Sequence, residues 1–248
     1  MPRLGTRKLY HILQDDLKEL GVGRDKLFSI LKANHMQIIP KRSYHITTDS
    51  HHRFRKHKNI IEQLPILHPE QVWVADITYI GNRANPMYLA LVTDAYSKKI
   101  VGYDVSNSLC VTGSLRALTM ATRSRVYRKQ ALIHHSDRGL QYCSDLYQQE
   151  LNKRNIKCSM TESYDPYANA VAERINGVLK QEFLGYERQM PISIMKKLVE
   201  DSVRIYNKSR PHYSCHMLTP QQMHAQRKLK VKTYKSKKSV EHVLNTLS

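Results

Sequence analysis

The sequence lacks the cysteine patterns that indicate disulfides or a thiolate metal site. Its four cysteines lie far apart and include no C-x-x-C pair, so we expect reduced thiols. Four histidines near the N-terminal third also lack cysteine partners, and we interpret them as part of a solvated basic linker and not as a zinc site. The cysteines are Cys110, Cys143, Cys158 and Cys215, and the histidines are His51, His52, His57 and His68.

Long apolar runs are absent as well. No apolar stretch approaches the roughly 18 residues that a membrane-spanning helix needs. The N-terminus does not resemble a secretion signal, because Arg3, Arg7 and Lys8 lead into a mixed segment and not into an apolar one. We therefore expect no membrane partner and a cytoplasmic location.

Acidic residues are scarce relative to basic ones. The chain has 40 Lys and Arg residues against 21 Asp and Glu residues, a formal net charge of +19. Residues 1–65 have 13 basic and 6 acidic side chains, residues 66–190 have 15 and 12, and residues 191–248 have 12 and 3. A nearly balanced centre with two basic flanks favours a globular core whose arms hold a polyanion, and nucleic acid is the commonest such partner.

The first 65 residues predict a small helical segment and a linker. Leucine and isoleucine recur at helical spacing over residues 6–20, Gly21-Val22-Gly23 then predicts a turn, and a second short helix follows from Asp25. Two short basic helices joined by such a turn fit a helix-turn-helix over residues 1–39 that binds DNA. A helical hairpin that only packs on the core is the alternative. Residues 40–65 lack periodicity and predict a basic linker.

From residue 66 the pattern changes to that of a mixed α/β core. Residues 72–80, 87–93 and 100–105 are rich in β-branched and aromatic side chains, and they predict three strands in an antiparallel meander. Shorter strands and helices then alternate, which predicts a mixed five-stranded sheet flanked by helices over residues 66–228. Residues 229–248 predict a loose basic tail, and the sequence shows no internal repeat.

Three acidic residues lie at positions where an α/β core can present chemistry. Asp76 interrupts an apolar strand, where a carboxylate needs a partner or a metal ion. Asp137 follows a strand and precedes Gly139, a place where a turn-capping Asp is the alternative. Glu173 lies in the first turns of the helix predicted from residue 169, where a glutamate can simply favour the helix dipole.

The three carboxylates together are more informative than each alone. Sixty residues separate Asp76 from Asp137 and 35 separate Asp137 from Glu173, so all three can meet at one sheet edge. At distances of a few ångströms they would repel each other by several kcal/mol at an effective dielectric near 20. Divalent cations relieve that repulsion, and ligation by oxygen alone favours Mg²⁺ or Mn²⁺.

The segments around these acids resemble the three motifs of DDE transposases akin to retroviral integrases. They read W-V-A-D-I-T-Y, H-S-D-R-G-L-Q-Y and N-A-V-A-E-R-I-N-G-V-L-K-Q-E-F. More closely, the chain resembles the second-frame product of the insertion-sequence-three family. That likeness extends to Y-L-A-L-V-T-D-A-Y-S-K-K-I-V-G, S-M-T-E-S, Y-N-K-S-R-P-H with T-P downstream, and the N-terminal P-R-L-G-T-R-K-L-Y, and so to nearly the whole chain.

The resemblance implies a fold, an activity and partners. The fold is a ribonuclease-H-like core, and the reaction is metal-dependent strand cleavage at the ends of an insertion element, followed by transfer of the freed 3′-hydroxyl. Asp76 and Asp137 are expected to hold two Mg²⁺ or Mn²⁺ ions, with Glu173 completing one shell. The partners are the terminal repeats, the target DNA, further copies of the chain on DNA and a possible upstream-frame protein, and the location is nucleoid-associated.

Six further residues are candidate DNA contacts. Lys180 lies seven residues past Glu173, about two helical turns, and so shares its face, although a solvated lysine is the alternative. Asn169 could cap its helix instead, and Arg138 could serve only to pack or orient. The remaining three lie in the predicted helix-turn-helix and are Arg7, Lys8 and Arg24.

Two features depart from the family pattern. Ala168 precedes Asn169 where the family often has an acidic residue, so any role of that acid is absent. The chain also begins at Pro2-Arg3 without an upstream recognition helix or leucine zipper, which predicts a separate or shortened product.

The alternatives to a transposase are a ribonuclease-H-fold nuclease that cleaves with water only and an inert, transposase-derived DNA-binding regulator. A tyrosine or serine recombinase is disfavoured, because an acidic triad has no use for a covalent phosphoprotein link.

Overall fold

A mixed five-stranded sheet organises the chain. In the computed structural model, the described residues are 3–38, 57–62, 64–81, 86–161, 170–184 and 190–232. The strand order is β3-β2-β1-β4-β5, with β1–β2 and β2–β3 antiparallel and β1–β4 and β4–β5 parallel. The predicted meander and mixed sheet are confirmed. The strands are β1 (Val72–Gly81), β2 (Pro86–Asp94), β3 (Ile100–Ser106), β4 (Leu132–Ser136) and β5 (Ile156–Met160).

Helices cover both faces of the sheet. Because side chains alternate along a strand, Trp73, Ala75 and Ile77 of β1 face the helices α4–α6, while Ile80 packs with residues of α7 and α8. Full burial of a large apolar side chain contributes about 1.5–3 kcal/mol, so these two layers are the main source of stability. The helices are α4 (Val111–Arg123), α5 (Leu140–Cys143), α6 (Asp145–Lys153), α7 (Ala170–Leu179) and α8 (Ile192–Ser209).

The N-terminal segment forms three short helices with their own small core. Leu17, Leu27 and Leu31 are buried together, and the chain turns at Gly21, which has a positive φ of 64°. The helices are α1 (Thr6–Ile12), α2 (Gln14–Glu19) and α3 (Arg24–Ala33). Both alternatives for residues 1–39, DNA-binding helix-turn-helix and packed hairpin, stay predictions, as does the linker at 40–65, most of which lies outside the described residues.

Strand β3 and helix α4 approach each other closely at Gly102. An added Cβ at Gly102 would lie 2.1 Å from the carbonyl oxygen of Ala117 and 2.8 Å from the backbone nitrogen of Ala121. Neither atom can rotate away, because both belong to the helix backbone. Only glycine therefore permits this contact between sheet and helix.

A buried polar cluster joins the C-terminal helix α9 (Pro220–His224) to the start of the sheet. Glu70 and Asp94 are almost fully buried, and the His224 ring lies between them, 3.5 Å from Glu70 Oε1 and 3.7 Å from Asp94 Oδ1. Burial alone would lower the pKa of His224, but the two carboxylates outweigh it and raise that pKa. Asp94 also accepts from the Ser97 amide at 2.7 Å, so it caps the turn that follows β2.

Residues after α9 continue to contact the core. The Tyr96 hydroxyl donates to the carbonyl oxygen of Leu229 at 2.6 Å, and the Lys232 amide donates to the carbonyl oxygen of Ser214 at 2.9 Å. The boundary between core and tail at residue 229 stays a prediction. Within the described ranges, every helix is too short or too polar to traverse a lipid bilayer.

Candidate active site

Strand pairing brings Asp76 and Asp137 together. Ala75 of β1 pairs in parallel register with Ser136 of β4, and each aspartate is the next residue along its strand direction. Adjacent strands lie about 4.8 Å apart, so the two carboxylates are neighbours at the centre of the sheet. The parallel pairing of β1 with β4, far apart in sequence, is therefore what creates this acidic pair.

Asp76 is held in place by helix α7 and by its own strand. The Asn176 Nδ2 donates to Asp76 Oδ2 at 2.7 Å, and the Ile77 amide donates to Asp76 Oδ1 at 2.9 Å. Burial, followed by the negative charges of Asp137 and Glu173, raises the pKa of Asp76 from 3.8 to about 7. A carboxylate in this position favours any cation or proton that neutralises it.

Asp137 is oriented by the turn that follows β4. The Gly139 amide donates to Asp137 Oδ1 at 3.1 Å, and α5 begins directly after this turn. An added Cβ at Gly139 would lie 3.0 Å from the same oxygen, so a larger residue there would push the carboxylate. The turn capping foreseen for Asp137 and its position beside Asp76 are thus both present.

Glu173 lies on the exposed side of α7, one helical turn before Asn176. Its negative charge raises the pKa of Asp76, although less than the charge of Asp137 does. A surface groove of about 370 Å³ runs past Glu173 and Gly177 along α7. The structure thus places two acids side by side and the third at their margin.

The donors present fit a hard divalent cation. Asp76 and Asp137 offer carboxylate oxygens only, and burial together with the charge of Asp137 raises the pKa of Asp76. Among the residues that the structure describes, no three His, Cys, Asp or Glu side chains are grouped closely enough to hold a metal ion. Glu173 would have to move closer to join the two aspartates in one shell.

Lys180 reaches the sheet beside Asp76. Helix α7 continues into a π-helical turn, Lys180–Leu184, whose first residue donates from Nζ to Thr78 Oγ1 at 3.1 Å. Burial lowers the pKa of Lys180, while the charge of Asp76 opposes that effect. The hydrogen bond to Thr78, two residues along the strand from Asp76, places this ammonium near the acidic pair, and its role as a DNA contact stays a prediction.

The other predicted DNA contacts differ in their surroundings. Arg7 is exposed, Arg138 is half-buried beside Asp137, and exposed Arg24 pairs with Asp25 at 2.8 Å. Lys8 points into the protein, where its Nζ lies 3.5 Å from Glu182 Oε1 of the π-helical turn. Asn169 and Ala168 lie outside the described residues. For all of these residues, DNA contact stays a prediction.

Sequence reasoning missed Asn176. Its buried amide fixes one oxygen of Asp76, while its own Oδ1 has no hydrogen-bond partner in the described structure. The signal was its spacing: three residues after Glu173 and four before Lys180, on the helix predicted from residue 169. The spacing alone does not fix how α7 is rotated about its axis, so it could not show which strand residue Asn176 contacts.

Replacing Asp76 by Asn is expected to stabilise the metal-free protein above neutral pH. Because the folded-state pKa of Asp76 is raised, its protonated carboxyl stabilises the fold fully below about pH 4. That stabilisation is lost as the pH rises to about 7. We expect Asp76→Asn to exceed the native chain by about 2–4 kcal/mol in unfolding free energy at pH 8 with EDTA, and to match it near pH 4. Urea titrations at a series of pH values measure this difference.

A matched control separates this effect from a general loss of negative charge. Asp15 is exposed on α2, and Asp15→Asn should change stability by only a few tenths of a kcal/mol at either pH. If Asp76→Asn gave the same small, pH-independent change in stability as Asp15→Asn, the ionised Asp76 carboxylate would not destabilise the fold and the prediction would be refuted.

The chain matches known protein families over most of the core. Two models described as "Integrase core domain" match residues 67–166 and 154–220. The insertion element IS600 uncharacterized 31 kDa protein of Shigella sonnei is 36% identical over 224 residues, covering 87% of this chain and 79% of that protein. Transposase InsF for insertion sequence IS3A of Escherichia coli (strain K12) is 36% identical over 155 residues, covering 62% of this chain but only 54% of that protein.

A solved structure shows the same fold. The simian T-cell lymphotropic virus intasome, determined by cryo-electron microscopy in complex with a PP2A regulatory subunit, contains a chain that aligns with 93% of this one at a TM-score of 0.55. The alignment covers 78% of that viral chain, and the identity is 18%. The mixed sheet flanked by helices is therefore of the ribonuclease-H-like type expected from the sequence.

Proposed function

Since this chain belongs to the insertion-sequence-three family of transposases, DDE-type polynucleotidyl transferases with an integrase core, we propose that Asp76, Asp137 and Glu173 form its catalytic triad. In this proposal the chain cleaves one DNA strand at each end of an insertion element and transfers the freed 3′-hydroxyl to target DNA. The relatives show that the chain belongs to this family, and the positions of the three acidic residues support the roles proposed for them.

The observation that carries the proposal is the acidic pair across β1 and β4. A fold gains nothing in stability from two carboxylates side by side, since their repulsion and burial together raise the pKa of Asp76 to about 7. Such an arrangement is typical of a site that works with a bound cation. Glu173 supplies a third acid at the margin, on a helix that the Asn176–Asp76 hydrogen bond ties to the sheet.

Each side chain has a distinct task in the proposed reaction. Asn176 fixes the Asp76 carboxylate, and the Gly139 amide fixes that of Asp137, so both present oxygens without reorganisation. Lys180 places a positive charge next to Asp76, where it can contact a phosphate oxygen of the bound strand. No protein nucleophile is needed, because the attacking group is water or a DNA 3′-hydroxyl.

We propose that two Mg²⁺ or Mn²⁺ ions are held by Asp76 and Asp137, with Glu173 completing one shell. When bound, such ions activate the attacking oxygen and neutralise charge on the leaving oxygen. The all-oxygen donors and the raised pKa of Asp76 support this assignment. The bound ions would offset the repulsion that arises when Glu173 closes onto the two aspartates.

The partners we propose are the terminal repeats of the element and its target DNA. The net charge of +19, concentrated in the flanks, supports phosphate contacts by the N-terminal helices and the basic tail. Assembly of several copies on DNA, an upstream-frame partner protein and a cytoplasmic, nucleoid-associated location are further parts of the proposal.

The test is a strand-cleavage and joining assay with the full chain. A labelled duplex that carries the terminal repeat flanking the coding sequence is incubated with Mg²⁺, with Mn²⁺ or with EDTA, together with unlabelled target DNA. We expect a nick at the repeat end and a longer joined product with either metal ion, and neither product with EDTA.

The products distinguish the proposed function from its alternatives. A nick without a joined product would favour a nuclease that uses water only. Binding of the duplex without any product under all conditions would favour an inert DNA-binding regulator. Either result would refute the transposase proposal for this chain.

A further inference from the structure

Four arginines surround a cleft at the edge of the sheet away from the acidic pair. The cleft has a volume of about 320 Å³ and is formed by the end of α4, the loop before β4 and the start of β5. Thr122 and Ile156 complete its lining. The arginines are Arg123, Arg125, Arg128 and Arg154. Residues 105–136 contain five Lys and Arg residues but no Asp or Glu, so the stretch that supplies most of this cleft has no acid of its own.

Two of the four guanidinium groups are neutralised and two are not. Arg125 pairs with Glu70 at 3.3 Å, and Arg154 pairs with Glu150 at 2.5 Å. Arg123 and Arg128 are exposed, and neither makes an ion pair with any described residue. Arg128 donates only to the backbone carbonyl oxygens of Arg125 and Arg123, at 3.3 and 3.4 Å. Two positive charges at the cleft are therefore available to bind a partner.

The loop that carries these charges is fixed by buried contacts. Glu70 accepts the amides of Val126 at 2.8 Å and Tyr127 at 2.9 Å, so one almost fully buried carboxylate holds the backbone between the arginines. The Arg227 guanidinium lies 4.3 Å from the centre of the Tyr127 ring, a cation–π contact that also holds the loop. An ordered loop loses little entropy when it binds a ligand, which favours a specific site over a fluctuating basic surface.

The cleft and the acidic pair lie at opposite ends of β4. Arg128 precedes Leu132, the first residue of the strand, while Asp137 follows Ser136, its last. Five residues of strand span about 16 Å, so one phosphate cannot contact both places. A polyanion in the arginine cleft must therefore present phosphates other than the one that lies at the acidic pair.

We propose that the arginine cleft binds backbone phosphates of a DNA segment other than the strand at the acidic pair, so that one chain holds two DNA segments. Guanidinium groups bind phosphate oxygens in bidentate fashion, so the two unneutralised arginines can each bind a backbone phosphate of a duplex. This inference rests on the proposed function for the choice of DNA as the polyanion. It adds the place where a target or flanking duplex is held during strand joining.

The double variant Arg123→Ala/Arg128→Ala tests the cleft. Binding of the full chain to a long duplex is measured in EDTA at salt concentrations between about 50 and 200 mM. We expect the slope of log K against log salt to become shallower by about 1.8, because each lost phosphate contact removes about 0.9. Joining to target DNA in Mg²⁺ should fall by about tenfold or more, while nicking of a short terminal-repeat duplex stays within about twofold of the native rate.

The matched control removes the same charge from the other face of the sheet. Lys196 and Lys208 are exposed on α8, and Lys196→Ala/Lys208→Ala should leave the slope nearly unchanged. Equal slopes for the two double variants would overturn the inference, since only net charge would then matter. Because the salt dependence of binding does not require catalysis, it tests the arginine cleft even if the native chain fails to nick DNA and the proposed function is wrong. Thermal midpoints within about 2 °C of the native chain would show that both variants fold.

Discussion

Replacing Glu173 by Gln should lower metal-dependent strand cleavage by at least about a thousandfold while leaving DNA binding intact. The amide has the same size as the carboxylate but no negative charge, so a divalent cation would lose one of three anionic partners. Loss of about 4 kcal/mol of transition-state stabilisation corresponds to this factor. Because Glu173 is exposed on α7, its replacement should not disturb the fold. Single-turnover nicking of the terminal-repeat duplex with Mg²⁺ measures the effect.

The matched control for this prediction is Glu200→Gln. Glu200 is an exposed glutamate on α8, which packs on the same face of the sheet as α7, and its loss should change cleavage by less than about twofold. The proposed role of Glu173 would be disproved if Glu173→Gln cleaved DNA as fast as Glu200→Gln. A parallel loss on Asp137→Asn would place both acids in one catalytic unit, because residues that act together give similar losses when removed singly.

Replacing Gly102 by Ala should destabilise the protein by about 3 kcal/mol or more. The new Cβ would lie 2.1 Å from the Ala117 carbonyl oxygen, so α4 must move away from β3 and expose part of the apolar layer that contains Leu118. For a chain of this length, that loss corresponds to a fall in thermal midpoint of roughly 6–12 °C. Differential scanning calorimetry or urea unfolding measures it.

The chain offers a second glycine as the control. Gly177 lies within α7, and an added Cβ there has no neighbour within 4 Å. Gly177→Ala should therefore gain up to about 1 kcal/mol, since alanine forms helix better than glycine. The close contact between β3 and α4 would be disproved if both alanine variants shifted stability in the same direction by similar amounts.

The sequence predicted the strands well because each has a local signal. Residues 72–80 combine β-branched and aromatic side chains, and β1 spans Val72–Gly81. The short connections to β2 and β3 leave an antiparallel meander as the simplest arrangement, and this is what forms. Asp76 could be singled out for the same reason, since one carboxylate in an apolar strand is anomalous on any topology.

The features that sequence reasoning missed depend on contacts between distant segments. Asn176 meets Asp76 only because α7 packs on β1 in one rotation, and Lys8 meets Glu182 across 174 positions. The arginine cleft is formed by the end of α4, the loop before β4 and the connection from α6 to β5. A charge count over residues 66–190 therefore averages its arginines with acidic residues elsewhere. Local periodicity carries no information about such pairings, which are fixed only when helices dock on the sheet.

Helix α9 has a consequence for shortened gene copies. The His224 ring separates two buried carboxylates, Glu70 and Asp94, at the start of the sheet. A premature stop codon ahead of Pro220 would leave that acidic pair without its imidazole and uncover the apolar side chains beneath α9. Cellular quality-control proteases should then degrade the fragment, even though every codon of the acidic triad is intact. Element copies that decay from the 3′ end of the gene should thus lose the protein long before they lose its proposed catalytic residues.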